Sequence, residues 1–211
     1  MKQNAPDMKS RRTMLALAAA AIAAAALPLQ AAMAHDGKHE APLPPAVSPG
    51  IDGAFSLIDQ NGKAVTDKDF EGYYRLVYFG FTSCPDVCPT DLKKISEALK
   101  KTDGKKAARI APLFITVDPD RDTPRVMKDY VGQFGPSFVG LTGSKEAIAN
   151  AQAGYKVFAA KRQDPRVNGY MMDHSAYAYL MGPHGEFIDV FSHDDTADAI
   201  AKRLDAAVST K

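Results

Sequence analysis

The sequence predicts an α/β domain in which a mixed β-sheet carries helices on both faces. Two apolar runs, Arg75–Phe81 and Ile110–Val117, have the length and composition of buried strands. A helical pattern follows each run, and this order of elements predicts parallel strands with right-handed connections. Near the end of the chain, Gly182-Pro183-His184-Gly185 separates two short apolar runs and predicts an antiparallel hairpin.

The first half of the domain contains a further strand, a turn and a helix. Ala54–Ile58 has the alternation of a strand, and the turn after it contains Asn61-Gly62, a strong hairpin signal. After the first buried strand, apolar residues recur at helical spacing with lysines between them. These apolar residues are Leu92, Ile95, Ala98 and Leu99.

The second half of the domain alternates between strands and helices. Asp122-Thr123-Pro124 is typical of a helix start, and Gly132 and Gly135 follow the predicted helix. The remaining predicted elements are a strand at Phe138–Leu141, a helix at Lys145–Ala153, hairpin strands at Ala176–Met181 and Glu186–Phe191, and a helix at Thr196–Val208.

The first 34 residues have the pattern of an export signal. Arg11-Arg12 precedes an alanine-rich apolar run, and Ala32-Met33-Ala34 fits the small-residue rule for cleavage. The arginine pair resembles a twin-arginine signal, and an ordinary Sec signal is the alternative. A retained membrane anchor is less favoured, because the apolar run is short and Pro28 interrupts it.

Three segments are therefore expected: a signal at 1–34, a flexible lead-in rich in proline and charge at 35–50, and one domain at 51–211. The whole chain has 26 basic and 25 acidic residues. Cleavage after Ala34 would remove four basic residues and one acidic residue, which changes the formal charge from +1 to −2. Nothing in this balance would attract nucleic acid, and we expect an exported, periplasmic protein.

The only two cysteines, Cys84 and Cys88, lie where the first buried strand leads into a helix. On one continuous helix their spacing would place both sulfurs on the stripe that faces the sheet. Pro89 leaves a second possibility, in which the regular helix begins at Pro89 and the cysteines form a turn ahead of it. Both possibilities place the thiols near the positive end of a helix, which lowers a thiol pKa.

Three kinds of chemistry fit such a pair: a simple disulfide, a redox pair, or a site for a soft metal ion. An iron–sulfur cluster would need about four cysteines, and structural zinc would need two further ligands. Copper(I) would need only one added histidine. Of the five histidines, His35 and His39 fall in the lead-in, while His184 and His193 fall in turns where exposure explains them.

His174 differs from the other histidines because it precedes a predicted buried strand, where loops gather near the helix start. The neighbouring methionines Met171, Met172 and Met181 are soft donors, but a role in the core suits them better. The acidic run from Asp118 to Asp122 lacks the glycine and glutamate of a calcium-binding EF-hand loop. We therefore expect its carboxylates to cap the next helix or to lie at the rim of the site.

Several segments, in this order, closely resemble the signature blocks of the SCO/SenC copper chaperones. The resemblance extends from Ala54 to about Val208. Its blocks are Tyr78-Phe79-Gly80-Phe81-Thr82-Ser83-Cys84-Pro85-Asp86-Val87-Cys88-Pro89, the run from Ile115 to Pro124, Gly140-Leu141-Thr142-Gly143, and Asp173-His174-Ser175 with Tyr179-Leu180.

The resemblance implies a thioredoxin-like fold with an added β-hairpin. It also implies copper, as Cu(I) and Cu(II), bound by Cys84, Cys88 and His174, and a chaperone that delivers copper to the CuA centre of cytochrome c oxidase. Its partners would be the oxidase subunit that carries CuA and a periplasmic copper donor, and we expect a monomer. The alternative is a thiol-disulfide oxidoreductase that reduces the CuA cysteines through Cys84 and Cys88, or a redox or copper sensor.

Overall fold

The computed structural model describes residues 50–165 and 169–210. The predicted export signal at 1–34 and all but the last residue of the predicted lead-in lie outside these residues, so both stay predictions. Among the helices of the described residues, none is long and apolar enough to span a bilayer.

Strands and helices alternate along the described residues much as the hydrophobic pattern predicts. The strands are β1 Ser56–Asp59, β2 Ala64–Thr66, β3 Tyr74–Gly80, β4 Ile110–Thr116, β5 Val139–Thr142, β6 Ala159–Gln163, β7 Tyr170–His174, β8 Tyr177–Met181 and β9 Phe187–Ser192. The helices are α1 Val87–Lys101, α2 Gly104–Ala107, α3 Pro124–Val131, α4 Lys145–Gly154 and α5 Ala197–Ala207, with a short 3-10 helix at Asp67–Phe70.

One mixed sheet of seven strands has the order β2-β1-β5-β4-β3-β8-β9. Strands β3, β4 and β5 are parallel to their neighbours within this group. Strands β8 and β9 form an antiparallel hairpin, and β8 pairs antiparallel with β3. The predicted α/β class and mixed sheet are confirmed. Every residue of β3 is buried because strands on both sides and helices above and below cover it.

Helices cover both faces of this sheet. Successive side chains of a strand point to opposite faces of the sheet. The contacts of Tyr78 and Phe79 in β3 therefore show which helix packs on each face. The Tyr78 hydroxyl donates a hydrogen bond of 3.0 Å to Asp91 of α1. The ring of Phe79 lies 5.2 Å from that of Tyr155, which directly follows α4. Helix α1 therefore covers one face, where α5 packs beside it, and the end of α4 covers the other.

Helix α1 begins at Val87, between the two starting points that the sequence allowed. Pro89 is its third residue, and the first amides of a helix have no carbonyl partner within it. The missing N–H of Pro89 therefore costs no hydrogen bond. A proline ring inside a helix clashes with the preceding turn, but here that turn lies outside the helix. Cys84 remains in the connection after β3, whereas Cys88 lies in the first turn of α1.

A two-stranded ribbon, β6 with β7, is absent from the sequence prediction. Its register pairs Ala159 with His174 and Gln163 with Tyr170. The apolar pattern is weak here because Lys161, Arg162 and Gln163 of β6 are exposed. His174 is consequently the last residue of a strand, and not part of a loop as its position before β8 suggested.

Candidate metal centre

The two thiols meet where β3 leads into α1. Cys84 is partly exposed in the connecting turn, and Cys88 is buried as the second residue of the helix. Both are free thiols. The backbone N–H of Cys88 donates to the Cys84 sulfur at 3.5 Å, so the first turn of the helix closes around that sulfur. The positive end of the helix thereby faces the thiol pair, as predicted.

His174 approaches the buried thiol from the ribbon. Its Nε2 lies 3.4 Å from the Cys88 sulfur, and its Nδ1 lies 3.0 Å from the carbonyl oxygen of Ser175. A carbonyl oxygen can only accept a hydrogen bond, so Nδ1 carries the proton in a neutral ring. The lone pair of Nε2 then faces the sulfur. Metal-bound histidines commonly use the same arrangement, in which a carbonyl group holds the nitrogen that does not bind the metal.

The spacing of these two atoms suits ligands of a single ion. With bonds of about 2.3 Å to sulfur and about 2.0 Å to nitrogen at a tetrahedral angle, two such ligands lie about 3.5 Å apart. The Cys88–His174 separation of 3.4 Å is close to this value. Within residues 50–165 and 169–210, no three His, Cys, Asp or Glu side chains already surround a common point as ligands do. The preformed part of the site is therefore the pair Cys88 and His174.

The pKa values of the two thiols are shifted in opposite directions. Hydrogen bonding from Cys88, with a further contribution from His174, lowers the pKa of Cys84 to about 4 against the effect of burial. The hydrogen bond to Cys84, followed by burial and by the negative charge of Cys84, raises the pKa of Cys88. At neutral pH the reduced pair therefore shares one proton, with the thiolate on the more exposed Cys84.

Alkylation of Cys84 in the reduced, metal-free protein should depend only weakly on pH. Between about pH 5 and about pH 8 an ordinary thiol gains on the order of 1000-fold in thiolate, and reacts faster in proportion. Cys84, with a pKa of about 4, is already a thiolate across this interval. Iodoacetamide modification followed by peptide mass spectrometry would measure the rate at each cysteine, with buried Cys88 as the internal comparison. A rate at Cys84 that climbs steeply towards pH 8 would contradict the assignment.

Aromatic side chains and one glycine surround the thiols and the imidazole. Phe81 and Tyr78 present their rings edge-on to His174, with centroids 5.8 Å and 6.5 Å away. Gly80 lies against the buried thiol, and a Cβ there would fall 2.8 Å from the Cys88 sulfur. Sequence reasoning missed Gly80, although an isolated glycine inside an apolar strand is a known signal of close backbone approach.

Asp122 ties the cysteine turn to the end of β4. Its carboxylate accepts hydrogen bonds from the Thr82 N–H at 3.0 Å, the Thr82 hydroxyl at 2.6 Å and the Thr116 hydroxyl at 2.6 Å. Burial raises the pKa of Asp122 against these bonds. The expectation that Asp122 caps the next helix is wrong, because Thr123 caps α3 through Val126 N–H. Asp122 instead lies buried beneath Thr82, two residues before Cys84.

The other candidate donors lie elsewhere in the structure. His184 is exposed in its turn, and His193, also exposed, has Nδ1 2.7 Å from Oδ1 of Asp91. Met172 and Met181 belong to the hydrophobic core, and Met171 packs against it. His35 and His39 lie outside the described residues.

Comparison with known proteins identifies relatives along most of the chain. Residues 45–209 match the sequence model of the SCO1/SenC family. The chain is 44% identical over 158 residues to protein sco1 of Schizosaccharomyces pombe, which covers 74% of this chain but only 60% of that protein. Less than two thirds of the fission yeast protein is therefore represented.

Two solved structures resemble the fold closely. The crystal structure of Arabidopsis thaliana ScoI with copper bound has a TM-score of 0.71 and 38% identity, and the match covers 74% of this chain and 96% of that one. The structure of Bradyrhizobium japonicum ScoI with copper bound has a TM-score of 0.68 and 45% identity, covering 75% and 99%.

Proposed function

The chain belongs to the SCO1/SenC family, and we propose that it is a copper-binding metallochaperone that delivers copper to the CuA centre of cytochrome c oxidase. Cys84 and Cys88 supply sulfur ligands, and His174 supplies an imidazole nitrogen. The copper ion is cargo that the protein accepts and passes on. Catalytic turnover is not part of this role.

The observation that carries the proposal is the contact between Cys88 and His174, residues 86 positions apart in the chain. Thiolates are soft ligands that favour copper(I), and imidazole suits copper(II) as well. A ligand set with two sulfurs and one nitrogen can therefore accept copper in both oxidation states. Copper binding in the Arabidopsis and Bradyrhizobium relatives supports the choice of metal.

The difference in burial between the two thiols supports transfer of the metal. Cys88 is buried, whereas Cys84 is partly exposed, as is His174. A thiolate at Cys84 can meet an incoming copper ion first. A recipient ligand can later displace the same sulfur, so that copper is passed on while Cys88 still holds it. Three ligands leave the ion open on that side.

We extend the proposal to the place of action. The arginine pair, apolar run and small-residue site within 1–34 favour export, and so a role in the periplasm. The expected partners there are the oxidase subunit that carries CuA and a periplasmic copper donor, with the protein acting as a monomer.

Copper transfer distinguishes the chaperone from the alternative, a reductase of the CuA cysteines. Copper(I)-loaded protein mixed with the reduced, copper-free CuA domain should lose copper to that domain, because the recipient displaces Cys84. The measurement is the copper content of each protein after separation. The control mixes copper-free protein with a CuA domain whose cysteines form a disulfide. Rapid disulfide reduction there, with no transfer in the first mixture, would favour the reductase instead.

A further inference from the structure

The ribbon that carries His174 is separate from the main sheet. Strands β6 and β7 form a two-stranded sheet of their own. An isolated two-stranded hairpin is at best marginally stable in water. Among the described residues, no strand of the seven-stranded sheet pairs with this ribbon. Apart from the short chain connection between His174 and β8, the position of the ribbon therefore depends on side-chain contacts.

One set of these contacts involves three side chains that we call the Tyr170 clamp: Asp118, Arg121 and Tyr170. The Tyr170 hydroxyl donates to buried Asp118 at 2.7 Å. Arg121 donates from Nη1 to the Tyr170 carbonyl oxygen at 3.0 Å, and from Nε to the Asp118 carboxylate. The guanidinium carbon lies 4.0 Å from the centre of the Tyr170 ring. The clamp thus holds the ribbon by both its backbone and a side chain.

A second contact fastens the other strand of the ribbon to the same loop. Lys161 of β6 lies with its Nζ 4.4 Å from the centre of the Tyr170 ring. The same Nζ donates to the Asp120 carboxylate at 2.6 Å. Both strands are therefore anchored to the connection between β4 and α3.

The clamp and His174 lie at opposite ends of β7, on one face. Side chains alternate along a strand, so Tyr170, Met172 and His174 point the same way. Met172, in the middle, is buried in the core. An additional path leads through Phe81, whose ring lies 5.7 Å from the Arg121 guanidinium carbon and 5.8 Å from the His174 ring. The clamp can therefore control where the imidazole lies.

We propose that Tyr170 and Arg121 are positioning residues that keep His174 within reach of the thiols and thereby set how tightly the site binds copper(II) relative to copper(I). The copper part of this inference rests on the proposed function. Two thiolates can retain copper(I) when the imidazole moves away, because copper(I) accepts low coordination and soft ligands. Copper(II) depends more on the nitrogen ligand. A loosened ribbon should therefore weaken the binding of copper(II) selectively.

The variants Tyr170→Leu and Arg121→Met test the proposal. We expect copper(II) affinity to fall about 10- to 100-fold, as is typical when a partner outside the ligand set is lost. We expect copper(I) affinity to change less than about threefold, as for a surface substitution. Nitrogen hyperfine coupling in the copper(II) electron paramagnetic resonance spectrum should weaken. In the metal-free protein, the nuclear Overhauser contact between the His174 and Phe81 rings should be lost. Tyr170→Phe keeps the ring and should show a smaller effect.

The matched control is Arg162→Met on the same ribbon. Arg162 pairs with Asp173 on the exposed side and with buried Asp164, and within the described part of the chain it forms no hydrogen bond or ion pair with the three clamp residues. Its loss should therefore leave both copper affinities and the ring contact unchanged. Unaltered copper(II) affinity and ring contact in both clamp variants would overturn the proposal. Equal loss of copper(I) and copper(II) binding with a lowered melting temperature would also overturn it, because the clamp would then serve only folding. If the wild type binds no copper, the proposed function fails, while the ring contact still decides whether the clamp positions His174.

Discussion

We expect that replacing Cys84 or Cys88 with serine will abolish tight copper(I) binding, and that replacing His174 with alanine will weaken chiefly copper(II) binding. A hydroxyl is a hard, neutral donor and cannot substitute for a thiolate on a soft ion. The loss at either cysteine should exceed the roughly 100-fold upper range seen when only a supporting partner is removed. Cys88 is also the thiol that His174 touches, so its replacement removes a ligand and the contact that aligns another.

Anaerobic competition with a chromophoric copper(I) chelator measures the first effect, and absorption of the thiolate–copper(II) complex measures the second. His184→Ala is the matched control, because His184 is an exposed histidine in the turn between β8 and β9. It should bind copper as the wild type does. If the two serine variants and the His174 variant all retain wild-type affinity, the ligand assignment is wrong.

Gly80→Ala should both destabilise the protein and weaken its copper binding. The added Cβ would lie 2.8 Å from the Cys88 sulfur and 2.8 Å from Cε2 of Phe114, which is closer than real Cβ contacts allow. Both neighbours are fully buried, so the strand or the sulfur must move. Overpacking of this kind costs about 1–3 kcal/mol of the free energy of unfolding. The displaced sulfur would also leave its position opposite His174.

Denaturant unfolding gives the stability change, and the same chelator competition gives the copper affinity. Gly104→Ala is the control, because nothing lies within 4 Å of a Cβ built at Gly104. The two alanine variants add the same group, in packed surroundings at Gly80 and in open space at Gly104. Equal stability and equal copper affinity in the two variants would show that β3 does not press against the thiol.

Predictions from the sequence succeeded where the pattern is local and apolar. Strands β3 and β4 are continuous apolar runs, and their parallel pairing follows from the helix between them. Prediction from the sequence failed at the ribbon of β6 and β7. There Lys161 and Arg162 form ion pairs with Asp120 and Asp173 in place of apolar contacts. Such ribbons are held by partners far away in the chain, and no hydrophobic period reveals them.

The buried polar contacts were also beyond sequence reasoning. Asp122 bonds to Thr82, 40 residues away, and Tyr170 bonds to Asp118, 52 residues away. The residue types alone are equally consistent with helix capping or exposure. A buried polar side chain must find a hydrogen-bond partner. Its role is therefore known only when the residues that pack around it in the fold are known.

By itself, the sequence determined that two thiols meet at a helix start, because four residues span about one helical turn and the preceding strand must be buried. The sequence singled out His174 by its place before a buried strand and by the family resemblance, but only the tertiary structure placed its ring against Cys88. His174 reaches Cys88 because a ribbon, held by side chains rather than by the sheet, ends at that point. The physical reason is that local spacing limits neighbours within a turn, whereas long-range contacts depend on how all the buried surfaces fit together.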